Sequence, residues 1–312
     1  MPGAALLLLA SLAARAAAAP LDYAPTPFEA TVTTESETSD GRTLTVNFPS
    51  PVKSRFAPNN TVWGHLVLPK GPGPFATILV LPVMAAPNVW IETQFVKRFQ
   101  KDGFAVLWLE MPYQFHRRPS SLTPSGMVFL ARTARQLAAN FRQSVLDARR
   151  ALWWLSRRPE VDAQRIGIFG ISLGAIVGST VYTVDKTPRY GAFMLGGADF
   201  ATMVVASSMT GPFMKRIGVT PKQVRDAWKG IDPVDFKDLN RGKKALLINV
   251  RSDTVIPTAN ALRLKDAFPD ARQVWLPLGH YTAILHLIWV PRYISKAFQA
   301  ELLGPIPAPV KP

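Results

Sequence analysis

Arg165-Ile166-Gly167-Ile168-Phe169-Gly170-Ile171-Ser172-Leu173-Gly174 is the stretch whose reading decides the fold. Arg165–Phe169 is a largely apolar run with the length and composition of a buried strand. Gly170–Gly174 has the pattern G-x-S-x-G, and the residues from Leu173 to Tyr182 are small and apolar and read as a helix. A serine on so sharp a strand-to-helix turn has its hydroxyl pushed into the open. Side chains in place of the flanking glycines would collide with the neighbouring strand and helix. The bare pentapeptide arises often by chance; the strand before it and the helix after it give it weight.

A serine hydroxyl is a weak nucleophile and needs a base, itself oriented by an acid. On this type of turn the chain order is serine, acid, histidine. Lys244–Val250 reads as a buried strand, and Asp253 lies just past its carboxyl end. Val274-Trp275-Leu276 is a further short strand, followed by Gly279-His280 and then a long apolar helix from Thr282 to Leu303. Ser172, Asp253 and His280 are thus expected on loops at one edge of a parallel sheet, the edge at which open α/β folds bind ligands. Asp199, after the strand Ala192–Leu195, is a second candidate for the acid.

These motifs resemble those of the α/β-hydrolase superfamily, in particular its esterases and dienelactone-hydrolase-like members. Val161-Asp162, Arg165-Ile166-Gly167, the serine turn, Ser252-Asp253-Thr254-Val255-Ile256-Pro257 and Gly279-His280 carry the likeness, which spans Trp63 to Leu303. The resemblance implies an α/β-hydrolase fold: a mostly parallel central sheet covered by helices on both faces, with a small helical lid insertion. It also favours Asp253 over Asp199, through the Val255-Ile256-Pro257 that follows it. What it implies about activity is a serine hydrolase cleaving carboxylic esters through an acyl-enzyme, with Ser172, His280 and Asp253 as the triad and no cofactor. A peptidase, a thioesterase or acyltransferase on the same triad, and a non-catalytic binding protein are the alternatives. The family's peptidases usually carry a large extra N-terminal domain. The binding protein would be expected to lack a triad member, and none is missing.

An oxyanion hole on this fold takes two backbone N–H groups. One is expected from Leu173. The other is expected from Pro82-Val83-Met84-Ala85-Ala86-Pro87, the loop after the strand Ala76–Leu81. Proline has no N–H to offer. Met84 fits best by position, with Val83 and Ala85 as alternatives. Relatives often have His-Gly in this loop, and this chain does not.

The rest of the chain supplies context. Residues 20–60 are polar and proline-rich, with a strand at Thr43–Phe48, and read as an N-terminal arm and edge hairpin. The hydrolase domain is expected over 61–304, followed by a proline-rich tail over 305–312. Val89–Asp102 and Met127–Arg157 carry helical spacing. The stretch from Phe200 to Lys237 has helix signals and no strand pattern, and it is unusually apolar for a connection. It is read as the lid, at about 200–237, with Phe200–Trp228 covering Ser172 and with Met209 and Phe213 in a pocket for small or medium hydrophobic acyl groups. Tyr113 and His116, in the loop after the strand Phe104–Leu109, are candidates for a substrate wall. His65 and His286 are read as structural.

The chain has 312 residues, 48% of them hydrophobic, which supports a sizeable core. It has no cysteine, which excludes disulfides, thiolate metal sites and a cysteine nucleophile. No His/Asp/Glu cluster has metal-ligand spacing. Met1–Ala19 reads as an export signal, with a short apolar run and an A-x-A site, so a periplasmic or secreted protein is expected, without a membrane span after cleavage. The net charge of +15 comes from 36 Lys and Arg against 21 Asp and Glu. The basic residues are spread along the chain and no nucleic-acid motif accompanies them. They read as a solvated basic surface, with attraction to acidic polymers as the sharper alternative. The expected partner is a small or medium ester, free or polymer-linked.

Overall fold

The computed structural model describes residues 21–304, so the expected leader over 1–19 and the tail over 305–312 lie outside the described residues. Nine strands form one sheet in the order β1-β2-β3-β5-β4-β6-β7-β8-β9. They are β1 (Thr31–Thr38), β2 (Gly41–Pro49), β3 (Thr61–Pro69), β4 (Phe75–Leu81), β5 (Ala105–Leu109), β6 (Val161–Ile171), β7 (Tyr190–Met194), β8 (Ala245–Val250) and β9 (Arg272–Leu276). From β5 to β9 every pairing is parallel. β1, β2 and β3 add an antiparallel edge that joins the rest through β5.

The central strands are continuous apolar runs because both of their faces are covered. In β4, Leu79 and Leu81 enter one core, whereas Ala76, Ile78 and Val80 enter the other. β6 alternates likewise, with Ile166 and Ile168 on the first face and Phe169 and Ile171 on the second. Helices α1 (Trp90–Lys101) and α8 (Val290–Leu302) cover the second face and pack on each other. Their Phe95, Phe99 and Phe298 meet Phe104 and Phe169 in a ring cluster, each buried ring worth about 1.5–3 kcal/mol. Helices α2 (Ala134–Leu155) and α3 (Leu173–Val184) cover the first face.

Between β7 and β8 lie α4 (Phe200–Ala206), α5 (Gly211–Arg216), α6 (Pro221–Ala227) and a 3-10 segment at Pro233–Asn240. The last long helix before β9 is α7 (Thr258–Ala267).

Two helices expected as single units are broken. Met127–Leu130 is a 3-10 turn, and α2 starts afresh at Ala134, where the Thr133 side chain accepts the Gln136 N–H. Ala131 takes a positive φ of 53° at the break. The threonine and the glutamine three residues on form a helix-start signal that the apolar spacing alone hides. Likewise Thr282–Ile288 is 3-10 and α8 begins only at Val290. Pro291 has no N–H to continue the earlier turn, and it sits in the first turn of α8, where none is needed.

A buried polar network ties the edge hairpin to α2. Arg117 is fully buried and donates to the Glu110 and Asn59 carbonyls and to Asp147 Oδ2 at 2.7 Å. Ser50 donates to the other oxygen of Asp147 at 2.6 Å. Breaking such a buried pair by removing one partner typically costs about 3–5 kcal/mol, because the remaining charge is stranded.

Candidate active site

Ser172 connects β6 to α3 with φ 53° and ψ −114°, a strained conformation for a residue with a side chain. Its own N–H is held by the Met194 carbonyl at 2.8 Å. The two flanking glycines are sterically required. A Cβ on Gly170 would stand 2.1 Å from the Gly174 carbonyl oxygen, and one on Gly174 would stand 2.0 Å from that of Leu81.

His280 Nε2 lies 3.0 Å from Ser172 Oγ. His280 Nδ1 lies 2.9 Å and 3.1 Å from the two Asp253 oxygens. A carboxylate only accepts, so Nδ1 carries the ring proton and Nε2 is left to accept from the serine hydroxyl. Asp253 is itself fixed, because its Oδ1 accepts the N–H groups of Val255 and Ile256 at 2.9 Å and 2.7 Å. The acid loop and the histidine loop are joined: Arg251 N–H donates to Leu276 and Ser252 N–H to Leu278. Gly279 sits where a Cβ would come within 3.0 Å of the Ser252 carbonyl. The side chains of His280 and Asp253 are almost wholly buried, so little water competes for their hydrogen bonds. Asp199 is not part of this arrangement. It takes a positive φ of 59° at the start of α4, and its N–H donates to Asp232.

The loop after β4 is clamped from two sides. Buried Glu92 of α1 accepts the Val83 N–H at 2.9 Å, and buried Gln114 donates to the Val83 carbonyl at 2.7 Å. The Val83 N–H is therefore spent. The amides of Leu173 and Met84 donate no hydrogen bond among the described residues. Burial pushes the Glu92 carboxyl above its ordinary range. Neither Glu92 nor Gln114 belongs to a motif of the sequence. The signal for Glu92 was present: it falls on the same helical face as Phe95, Val96 and Phe99, where an acid has no reason to be unless it meets a donor.

Two apolar cavities meet at Ser172. The smaller, about 70 Å³, is lined by Leu173, Phe129, Met203, Met209, Trp228 and Ile256, among others. The larger, about 450 Å³, lies between Met84, Ile91, Met194, His280, Tyr281 and Ile284. No carboxylate lines either one. Met209 borders both. Phe213 and Tyr113 instead line an outer groove that does not include Ser172. The Tyr113 hydroxyl faces Asn140 at 3.3 Å. His116 lines none of the three. It stacks on Trp63, with ring centres 4.4 Å apart, and bonds Glu110 at 2.6 Å, so its place as a substrate wall is corrected to a strand-edge contact. Its position after a strand suggested the crevice, but the 3-10 turn at Phe115–Arg117 carries it outward. Among the described residues no cluster of His, Asp and Glu could hold a metal ion, and no helix is long and apolar enough to cross a membrane.

No protein-family model matches the chain, and no curated protein matches it. Solved structures do. An acetyl xylan esterase from Paenibacillus sp. R4 superposes with a TM-score of 0.66 at 17% identity, over 93% of this chain and 94% of that one. The chain has the α/β-hydrolase fold. Acetyl xylan esterase 1 from Thermoanaerobacterium sp. JW/SL YS485 gives 0.60 at 14% identity, over 89% of this chain and 93% of that one. A puromycin-hydrolyzing peptidase of Mycobacterium tuberculosis gives 0.60 at 14% identity, over 88% of this chain, which spans only 39% of that protein.

Within this fold, buried Asp232 ties the start of α4 to the 3-10 segment before β8. It accepts the N–H groups of Asp199, Phe200 and Val234. Burial outweighs those bonds and raises its pKa from 3.8 to about 6. A carboxyl whose folded pKa is raised favours the fold only while protonated. Its contribution is complete below about pH 4 and is lost as the pH rises through about 6, a loss of about 3 kcal/mol by linkage. Asp232→Asn is expected to flatten this dependence. Thermal melting from pH 4 to 7.5 checks it: wild type should lose stability relative to the variant across that range. Parallel curves would show that Asp232 does not titrate there.

Proposed function

We propose that the protein is a serine hydrolase that cleaves carboxylic esters of short acyl chains through an acyl-enzyme. The observation that carries this reading is the continuous chain Asp253–His280–Ser172, which opens on an apolar cavity of about 70 Å³. His280 Nε2 takes the proton of Ser172 as Oγ attacks the ester carbonyl. Asp253 holds the imidazole in the tautomer that can accept, and stabilises the imidazolium that results. The developing oxyanion is held by the free N–H groups of Leu173 and Met84, the former at the amino end of α3. His280 then gives its proton to the leaving alcohol. In the second half it takes one from water, whose oxygen attacks the acyl carbon, and returns that proton to Ser172 Oγ as the acyl–oxygen bond breaks.

The small cavity is the acyl site and the cavity of about 450 Å³ receives the alcohol. The acetyl xylan esterases among the structural neighbours supply a matching substrate class, acetyl esters. Neither cavity offers a carboxylate to hold a peptide's terminal ammonium group. The helices from Phe200 to Trp228 act as a cover on the acyl site.

A panel of p-nitrophenyl esters from acetate to octanoate, run beside aminoacyl nitroanilides, tests this reading. Turnover should be highest on acetate to butyrate and fall with longer chains. Faster turnover of the nitroanilides, or none of any ester, would overturn it. Met209 sits where the cavities meet, so Met209→Ala should lengthen the preferred chain. A methylene in such a pocket is worth about 1–3 kcal/mol, so the hexanoate-to-acetate ratio of kcat/KM should rise about tenfold or more. Phe213→Ala, on the outer groove, should leave that ratio unchanged. A lower melting temperature in the Met209 variant without a change in ratio would reduce Met209 to packing.

A further inference from the structure

The cavity that holds Ser172 opens past Met84, Leu130 and Met209, which also border a groove of about 1210 Å³. That volume is above the usual range for a pocket that encloses one small ligand, and suits an extended one. Lys53 and Arg55, from the segment after β2, and Arg132, just before α2, line it. No Asp or Glu lines it.

These three cations differ from others in the chain. Arg117, Arg149 and Arg158 are each paired with a carboxylate within 3.0 Å. Lys53 and Arg132 have no ion pair or hydrogen bond among the described residues. The Arg55 guanidinium lies over the Phe56 ring at 4.7 Å, which leaves its N–H donors unused there. A concave wall carrying one sign of charge focuses the field and concentrates the opposite charge. Guanidinium groups present paired donors that match a carboxylate. The rings of Phe56 and Phe213 and the polar groups of Thr133 and Gln136 line the same groove, as suits a ligand of alternating apolar and hydroxyl faces.

We propose that this groove binds a carboxylate-bearing saccharide chain, and that the natural ester is a short O-acyl group on such an acidic oligosaccharide. The proposal rests on the ester-hydrolase reading and names its substrate class. In the reaction the acyl carbon leaves the sugar oxygen for Ser172 Oγ, and the sugar oxygen takes the proton from His280. Water then supplies the hydroxyl and the proton that release the carboxylic acid and restore the serine.

The test has a binding arm and a turnover arm. In the first, the full-length Ser172→Ala protein is titrated calorimetrically with acetylated oligogalacturonides and with acetylated xylo-oligosaccharides of equal length. The acidic ligand should bind about tenfold tighter at low salt. That preference should vanish at high ionic strength and in a Lys53→Gln/Arg55→Gln/Arg132→Gln background. In the second, the same triple substitution in the active enzyme should raise KM for the acidic substrate about tenfold, with kcat held within twofold and with fluorophosphonate labelling of Ser172 and melting temperature retained. Equal affinity for acidic and neutral chains, or a preference that survives the triple substitution, would overturn the groove assignment. Failure to hydrolyse even p-nitrophenyl acetate would instead remove the hydrolase reading, and the binding arm would still judge the groove.

Discussion

Ser172→Ala should abolish covalent labelling by a fluorophosphonate and lower kcat on p-nitrophenyl acetate by on the order of 10³-fold or more. The residual rate would come from binding and from the backbone donors, which the substitution leaves in place. Alanine keeps the Cβ, so the strained φ of 53° at the turn is neither relieved nor worsened. The Met194 carbonyl still receives the backbone N–H. The melting temperature should therefore stay close to wild type, which separates loss of chemistry from loss of fold. Turnover retained in this variant would end the nucleophile assignment and, with it, the hydrolase reading.

Asp253→Asn should cost roughly 10³–10⁴ in kcat while the protein stays folded. The local hydrogen bonds explain why the loss is so large for a change of one atom. Oδ1 of Asp253 already accepts two backbone N–H groups, from Val255 and Ile256. In the variant the carbonyl oxygen must keep that position, because an amide NH2 there would face two donors. The NH2 then occupies the place of Oδ2, 2.9 Å from His280 Nδ1. A donor there forces Nδ1 to accept and moves the ring proton to Nε2. Nε2 can then no longer take the proton of Ser172. Steady-state kinetics with p-nitrophenyl acetate measures the effect, beside Asp199→Asn as comparison. Asp199 touches neither His280 nor Ser172 in the structure, and its variant should stay within a few-fold of wild type. The opposite ranking would move the acid to the earlier loop.

Much of the site was legible because its signals are local. The two glycines of the serine turn answer to clashes within a few residues or with the adjoining strand, so the pattern announces the conformation. The alternation of β4 and β6 between two cores follows from the pleat of any strand covered on both sides. The breaks at Ala131 and Trp289 were harder to see, since apolar spacing continues across both. Thr133 and Pro291 mark them, but only by which hydrogen bonds a cap makes or a proline cannot make.

By itself, then, the sequence determined the strand–turn–helix at Ser172, the parallel apolar strands and the loops on which Asp253 and His280 lie, since each depends on neighbours in the chain. The tertiary structure alone decided how distant residues meet. It paired His280 with a serine 108 positions away, gave Oδ1 of Asp253 to two backbone amides, and spent the Val83 N–H on Glu92. It also sent His116 to Trp63 and kept Phe213 out of the two cavities at Ser172 that Met209 borders. These depend on how helices and loops pack over the sheet edge, where a side chain's partner is fixed by space that residues far along the chain enclose.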